Sequence, residues 1–382
     1  MNKRVLFYVQ HLLGIGHIAR SSRICQSLLV SGFDVTLAMG GLPIEGLMPT
    51  GVRVLQLPPL RANPESFRTL LEPDGSIASD QYKADRTGAL MRAFQEIQPD
   101  ILIIEAFPFD RPQMRFELVP LLREAQSTRP RPLIASSIRD ILQRKKDAQR
   151  DNQALEDLET FFDIVLIHGD PTFSTLDRTF RHAQSIADMV HYTGIVAPDR
   201  ELHSVDPDAR FDVVVSAGGG AVGGKILSAS ILAKSLSPLS NARWMAVTGP
   251  NLPPETSAAL AQSARHNGVH LEKFVPDLAN VLAHAELSIS QAGYNTIADI
   301  LRVGCKSVLC PFAEANQTEQ ALRAELLRVH GRAAIVEEAG LHPEILSGAI
   351  REALSLSAGG HSIDLEGGPN TARILSKLIY SP

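Results

Sequence analysis

The stretch Val213-Val214-Val215-Ser216-Ala217-Gly218-Gly219-Gly220-Ala221-Val222-Gly223-Gly224-Lys225 decides the fold. A short β-branched run meets a cluster of glycines, and the cluster opens a helix. Glycines at such a turn let backbone N–H groups approach a phosphate, and the positive end of the helix favours its charge. The spacing also satisfies G-x-G-x-x-G, which raises a dinucleotide-binding dehydrogenase as a rival. That fingerprint needs an acidic residue at the end of the next strand to hold a ribose, and Ala246-Val247-Thr248-Gly249 supplies none. A glycine turn that serves only close strand–helix packing stays open.

Outward from this turn, short aliphatic runs alternate with longer amphipathic stretches, the pattern of βαβ units around parallel sheets. Expected strands cover 4–9, 33–39, 52–55, 101–105, 132–136 and 164–167, then 212–216, 243–247, 269–271, 287–289, 306–309 and 333–336. The class is α/β, with two Rossmann-like domains, 1–197 and 198–382, whose parallel sheets are expected to face one another across a cleft. Residues 194–210, with Pro198 and Pro207, read as the linker. Residues 367–380 read as a last helix able to return to the first domain. Residues 56–80, with four prolines, form a connection longer than compact domains usually carry, either a binding loop or a mobile insertion.

Composition narrows the partners. With 44% hydrophobic and 21% charged residues in 382, the chain is of the globular kind, long enough for about two to three domains with cores of their own. Lys+Arg 37 against Asp+Glu 42 gives a net charge of -5, which disfavours a nucleic-acid partner. Cys25, Cys305 and Cys310 are too few and scattered for a disulfide framework or a Cys-rich zinc site. The N-terminal apolar run is shorter than a signal peptide needs, and nowhere do roughly 18 uninterrupted apolar residues occur. The expected location is cytoplasmic, with peripheral contact at a membrane surface left open.

In open parallel sheets the ligand crevice lies beyond the carboxyl ends of the strands. For the first half this singles out 14–17, Glu105, 136–139 and 168–170; for the second, 217–224, 274–277, 290–295 and 311–317. Gly14-Ile15-Gly16-His17-Ile18-Ala19-Arg20 sets a histidine at a helix start, where the macrodipole disfavours the imidazolium and leaves a neutral general base. A cap or packing role for His17 is the competing reading. A carboxylate usually holds such a histidine in one tautomer, and Glu105 is the first candidate, Asp110 the second. His168-Gly169-Asp170-Pro171 reads mainly as a turn and is a weak site candidate. The run Arg139, Arg144, Lys145, Lys146 and Arg150 reads as a solvated helix face in preference to an anion site, because acidic residues follow at once.

Three ordered segments of the second half resemble the C-terminal domain of glycosyltransferase family 28, the MurG-like enzymes of the GT-B class. They are residues 216–225, then Glu272-Lys273-Phe274-Val275-Pro276-Asp277-Leu278-Ala279, then Ser290-Gln291-Ala292-Gly293-Tyr294-Asn295-Thr296-Ile297-Ala298-Asp299 leading into 311–320. The resemblance implies that Gly219 and Gly220 line a donor diphosphate, with Gly16 at the equivalent turn of the first domain. It further implies that Phe274 and Val275 lie beside the nucleotide base and Gly293, Asn295 and Thr296 at the diphosphate. Asp299 stands where that family has a glutamate on the ribose hydroxyls, and Asn316, Gln317 and Gln320 fall among its donor-sugar contacts. The first half is similar to the G-x-G-H-x-x-R segment of the PseG family of UDP-sugar hydrolases, in which the histidine is the proposed base.

The expected activity is transfer of a sugar from a nucleotide-diphosphate donor, UDP-linked, to a hydroxyl acceptor. The first domain then serves the acceptor side, with His17 and Glu105 catalytic, and the second binds the donor. Neither metal nor cofactor is expected, since Asp206-Pro207-Asp208, the one D-x-D, lies in the linker. The acceptor, lipid-linked or not, is unspecified. Hydrolysis of the nucleotide sugar and silent nucleotide-sugar binding are the alternatives.

Overall fold

Strands buried on both faces read as unbroken apolar runs, and Val5 to Val9 are all buried for that reason. The computed structural model describes residues 2–12, 16–44, 48–63, 66, 69–145, 147–199, 203, 206, 210–218, 223–249, 252–312, 318–357 and 362–380. The chain divides into one unit of Met1–Val196 with Glu366–Pro382 and a second of Ala197–Leu365.

The first unit runs β1 (Arg4–Val9), α1 (Gly16–Val30), β2 (Asp34–Met39), β3 (Arg53–Gln56), β4 (Arg61–Ala62), β5 (Leu70–Leu71), α2 (Asp80–Ile97), β6 (Ile101–Glu105), α3 (Arg115–Ser127), β7 (Leu133–Arg139), α4 (Ala148–Phe161), β8 (Ile164–His168) and β9 (Val190–Tyr192). Among the described residues its main sheet is parallel, in the order β3-β2-β1-β6-β7-β8-β9. The winding reverses between β1 and β6, so the loop after β1 and the end of β6 flank the switch point where ligands bind in open sheets. That is where His17 and Glu105 sit.

The described part of residues 57–79 is packed onto the first unit. Leu57, Leu60, Ala62, Leu70 and Ala78 join the unit's core, β4 and β5 pair antiparallel, and the Leu60 amide donates to the Gly40 carbonyl at 3.0 Å. Burial of that apolar face, which period-2 reading of so short a pair of strands does not reveal, holds the segment down.

The basic run is also read differently by the fold. Arg139 ends β7, and α4 starts only at Ala148, so Arg144 and Lys145 lie on no helix. Arg144 donates to the Arg178 carbonyl at 2.8 Å, and Lys145 pairs with Asp110 at 2.9 Å. Lys146 lies outside the described residues, and only Arg150 stands on α4.

The second unit repeats the scheme: β10 (Val213–Ser216), α5 (Gly224–Ala233), β11 (Trp244–Val247), α6 (Pro254–His266), β12 (Val269–Glu272), α7 (Leu278–Leu282), β13 (Leu287–Ser290), α8 (Tyr294–Val303), β14 (Lys306–Leu309), α9 (Glu319–Val329), β15 (Ala334–Ile335) and α10 (Pro343–Ser355). Its parallel order is β12-β11-β10-β13-β14-β15, again reversing beside the first strand. The closing helix α11 (Gly367–Tyr380) belongs to the first unit. A Cβ on Gly367 would meet the backbone of 194–196, and one on Gly368 the Ser27 side chain, so both glycines permit close approach. Asn370 fastens the helix further by donating to the Thr193 carbonyl at 2.7 Å. Among the described residues no helix is long and apolar enough to cross a membrane.

Candidate active site

His17 is the second residue of α1, and Arg20 follows at i+3 on the same face. Both reach the carboxylate at the end of β6. His17 Nδ1 lies 3.0 Å from Glu105 Oε1, Arg20 Nη2 donates to the same oxygen, and the Ser137 hydroxyl donates to Glu105 Oε2 at 2.8 Å. Ser137 is available because β6 and β7 pair with Glu105 opposite Ser137.

Burial alone would push the Glu105 pKa up. The Arg20 guanidinium beside it and the hydrogen bond from His17 outweigh this and hold it at about 2. An ionised carboxylate only accepts, so His17 Nδ1 carries the hydrogen and Nε2 the lone pair. Arg111 agrees: its Nη2 lies 2.9 Å from His17 Nε2, and a guanidinium can only donate. Burial first, then the Arg111 charge, lower the His17 pKa to about 4. The helix dipole predicts a neutral His17 from sequence, and in the structure desolvation and Arg111 account for it.

Asp110 does not hold the histidine. It accepts from Lys145, and that charge together with Arg111 keeps its carboxyl far below the usual range despite burial. Ala106 (φ 66) and Arg111 (φ 65) bracket this loop in the left-handed region, which costs a non-glycine residue about 1–3 kcal/mol each. His168, fully buried, lies 2.9 Å from the Ser137 hydroxyl through Nε2, so it stands on the same network and is more than part of a turn. Asp170 does serve the turn, capping the Thr172 amide at 2.8 Å. Arg20, Arg111 and Ser137 are contributors that sequence reasoning did not assign. The His-x-x-Arg spacing could have found Arg20; nothing local marks Arg111.

In the second unit, β10 and β13 are neighbours with Ser216 opposite Ser290, and a helix begins shortly after each. Among the described residues no side chain caps α5 at Gly223 or α8 at Gly293. Two helix N-termini without a side-chain cap above adjacent strand ends suit an anion. Gly218 has φ +70, and a Cβ on Gly223 would run into Ala217, so these two positions require glycine. Gly219, Gly220, Asn316 and Gln317 lie outside the described residues, as do Gly14 and Ile15. Gly16 starts α1. Phe274 is 44% exposed, with Val275 half-buried beside it. Asn295 and Thr296 occupy the first turn of α8, and Asp299, buried, lies one turn on. Gln320 uses its side-chain carbonyl to hold the Phe312 amide at 3.1 Å, which leaves its N–H2 group for other partners. A recess of about 600 Å³ opens at the start of α5, lined by Gly224, Lys225, Thr256, Phe312 and Glu338 among others.

Residues 214–358 match the glycosyltransferase family 28 C-terminal domain. The UDP-N-acetylglucosamine--N-acetylmuramyl-(pentapeptide) pyrophosphoryl-undecaprenol N-acetylglucosamine transferase of Agrobacterium fabrum is 28% identical over 167 residues, 42% of this chain and 44% of that protein. The protein of the same name from Acidithiobacillus ferrooxidans is 32% identical over 140 residues, 36% of this chain and 38% of that one. The chain therefore spans about half the length of such relatives or less. Among solved structures, the calicheamicin glycosyltransferase CalG4 superposes with a TM-score of 0.60 at 15% identity, covering 98% of this chain and 95% of that one. MurG of Acinetobacter baumannii gives 0.56 at 16% identity, covering 99% of each. The spinosyn rhamnosyltransferase SpnG complexed with thymidine diphosphate gives 0.57 at 16%, covering 99% and 95%. The fold is thus that of the GT-B glycosyltransferases, α/β with two Rossmann-like units.

Proposed function

We propose that the protein is a MurG-like glycosyltransferase that moves a sugar from a nucleoside-diphosphate donor to an acceptor hydroxyl, with His17 as general base. The observation that carries this is the His17 imidazole, its Nδ1 hydrogen-bonded to an ionised Glu105 and its Nε2 bare of hydrogen. As the acceptor oxygen attacks the anomeric carbon, its proton passes to Nε2 and the C–O bond to the diphosphate breaks, with the electron pair leaving on the diphosphate. Glu105 stabilises the imidazolium that forms, and Arg111 must release Nε2 as the hydroxyl arrives. The N-termini of α5 and α8 would carry the diphosphate's charge, with Asp299 on the ribose and Phe274 beside the base. The scheme uses no metal.

The relatives' names support a UDP-sugar donor and a lipid-linked, pyrophosphate-bearing acceptor, which would bring the protein to a membrane surface as a peripheral visitor. The test is release of sugar from a panel of UDP- and TDP-sugars by the purified chain, with and without acceptor. Inertness toward all of them overturns the reading. Water can replace the acceptor at the same base, so free sugar appearing at an undiminished rate without acceptor would make the protein a hydrolase of PseG type instead.

A further inference from the structure

We infer that His168 is a positioning residue for the base, acting through Ser137 and Glu105 to hold the His17 ring in place with Nε2 bare. The inference rests on the reading of His17 as general base. Its evidence is a continuous buried chain: Thr193 Oγ1 lies 2.9 Å from His168 Nδ1, His168 Nε2 2.9 Å from Ser137 Oγ, Ser137 Oγ 2.8 Å from Glu105 Oε2, and Glu105 Oε1 3.0 Å from His17 Nδ1. Ser137, Glu105, His168 and Thr193 are all buried.

The direction of each hydrogen follows from counting. Ser137 has one hydrogen, and an ionised carboxylate claims it more strongly than a neutral ring nitrogen does. Ser137 must then accept from His168, so the hydrogen of that ring is on Nε2. The ring is neutral, because burial and the Arg20 charge lower its pKa to about 3. Nδ1 is therefore an acceptor facing the Thr193 hydroxyl, whose oxygen also lies 3.0 Å from the Gly194 carbonyl and 3.3 Å from that of Ile167. From His168 onward every donor in the chain points toward Glu105, and the carboxylate accepts the hydrogen of His17 on Nδ1. With the opposite tautomer of His168, Ser137 would have to turn its hydrogen away from Glu105. Glu105 would then lose the hydrogen bond that orients its carboxylate, and with it the placing of His17 Nδ1. The far end is anchored too, since the Thr193 carbonyl accepts from Asn370 of α11.

The test compares His168→Leu, His168→Gln and Ser137→Ala in the full chain, by sugar release and by long-range ¹⁵N–¹H spectra of the His17 ring. His168→Leu and Ser137→Ala are each expected to lower kcat by about tenfold with the donor KM nearly unchanged, and to shift and broaden the His17 Nδ1–H resonance. His168→Gln, whose amide can donate to Ser137, should recover most of the rate, and the double variant should be no worse than the poorer single one. A His17 Nδ1–H resonance that does not move, with wild-type kcat, in His168→Leu overturns the inference, as does equal damage from Leu and Gln. Should His168→Leu fail to fold, Ser137→Ala carries the same test. Wild-type transfer by His17→Ala would instead overturn the base assignment, and the ring spectra would still judge the coupling.

Discussion

Arg111 Nη2 stands 2.9 Å from His17 Nε2, so a guanidinium donates into the lone pair that the reaction needs. The contact adds to burial in lowering the base's pKa. Because Arg111 lowers the His17 pKa, Arg111→Gln should raise it from about 4 toward the ordinary 6.5. A base works only when unprotonated, so activity is lost as pH falls through its pKa. The acid limb of kcat/KM against pH is therefore expected near 4 in the native protein and distinctly higher in Arg111→Gln. A limb that does not move would sink the assignment of His17, of Arg111, or of both.

Glu105 separates electrostatics from geometry. Glu105→Gln keeps an oxygen able to accept from His17 Nδ1 but removes the charge that stabilises the imidazolium. The expected loss in kcat is about 10²–10⁴-fold. Arg20, buried against Glu105, would lose the charge of that partner, so stability should also fall, by about 1–3 kcal/mol. Turnover measured at low temperature, alongside urea denaturation, distinguishes the two losses.

Acid should unfold the first unit for a reason the same residues supply. His17 and His168 have folded pKa values of about 4 and about 3, both below the unfolded 6.5. Their contribution is complete above pH 6.5 and is lost as the pH falls toward those values, since the unfolded chain then binds the extra protons. Each costs about 1.4 kcal/mol per pH unit across that window. Glu105, held at about 2, adds a loss of the same sign only below its ordinary 4.5. Unfolding free energy from denaturant titrations should drop steeply between pH 6.5 and 4.5, and His168→Gln should flatten the slope by about half. A flat profile would mean that these rings are not held neutral.

How far all this could be read beforehand follows from the range of each interaction. His17 and Arg20 share a helical face, and Glu105 ends an apolar strand, so local spacing and topology suffice to pair them as candidates. Arg111, Ser137 and His168 join only when β6, β7 and β8 align, as Glu105 opposite Ser137 and Arg139 opposite His168. No sequence period encodes that alignment. The twelve anticipated strands appear with ends shifted by at most three residues, while β4, β5 and β9 escape notice because two or three residues make no pattern. Lys145 reads as a solvated charge from its neighbours in sequence, because its partner Asp110 is 35 residues away.

The glycines of the second unit offer a paired test of structure against donor binding. At Gly223 the backbone is ordinary, but a Cβ would overlap that of Ala217, and relief requires the start of α5 to move. Gly223→Ala should cost about 1–3 kcal/mol by overpacking and weaken nucleoside-diphosphate binding by shifting the helix N-terminus. Gly348, within α10, has nothing within 4 Å of its Cβ position. Gly348→Ala should therefore stabilise the unit by about 0.5–1 kcal/mol and leave binding alone, because alanine has less conformational freedom to lose in a helix. Denaturation and thermal shifts with UDP, run on both variants, read out the contrast. Unchanged UDP binding in Gly223→Ala would show that the start of α5 does not hold the diphosphate, since that variant moves the first turn of the helix and little else.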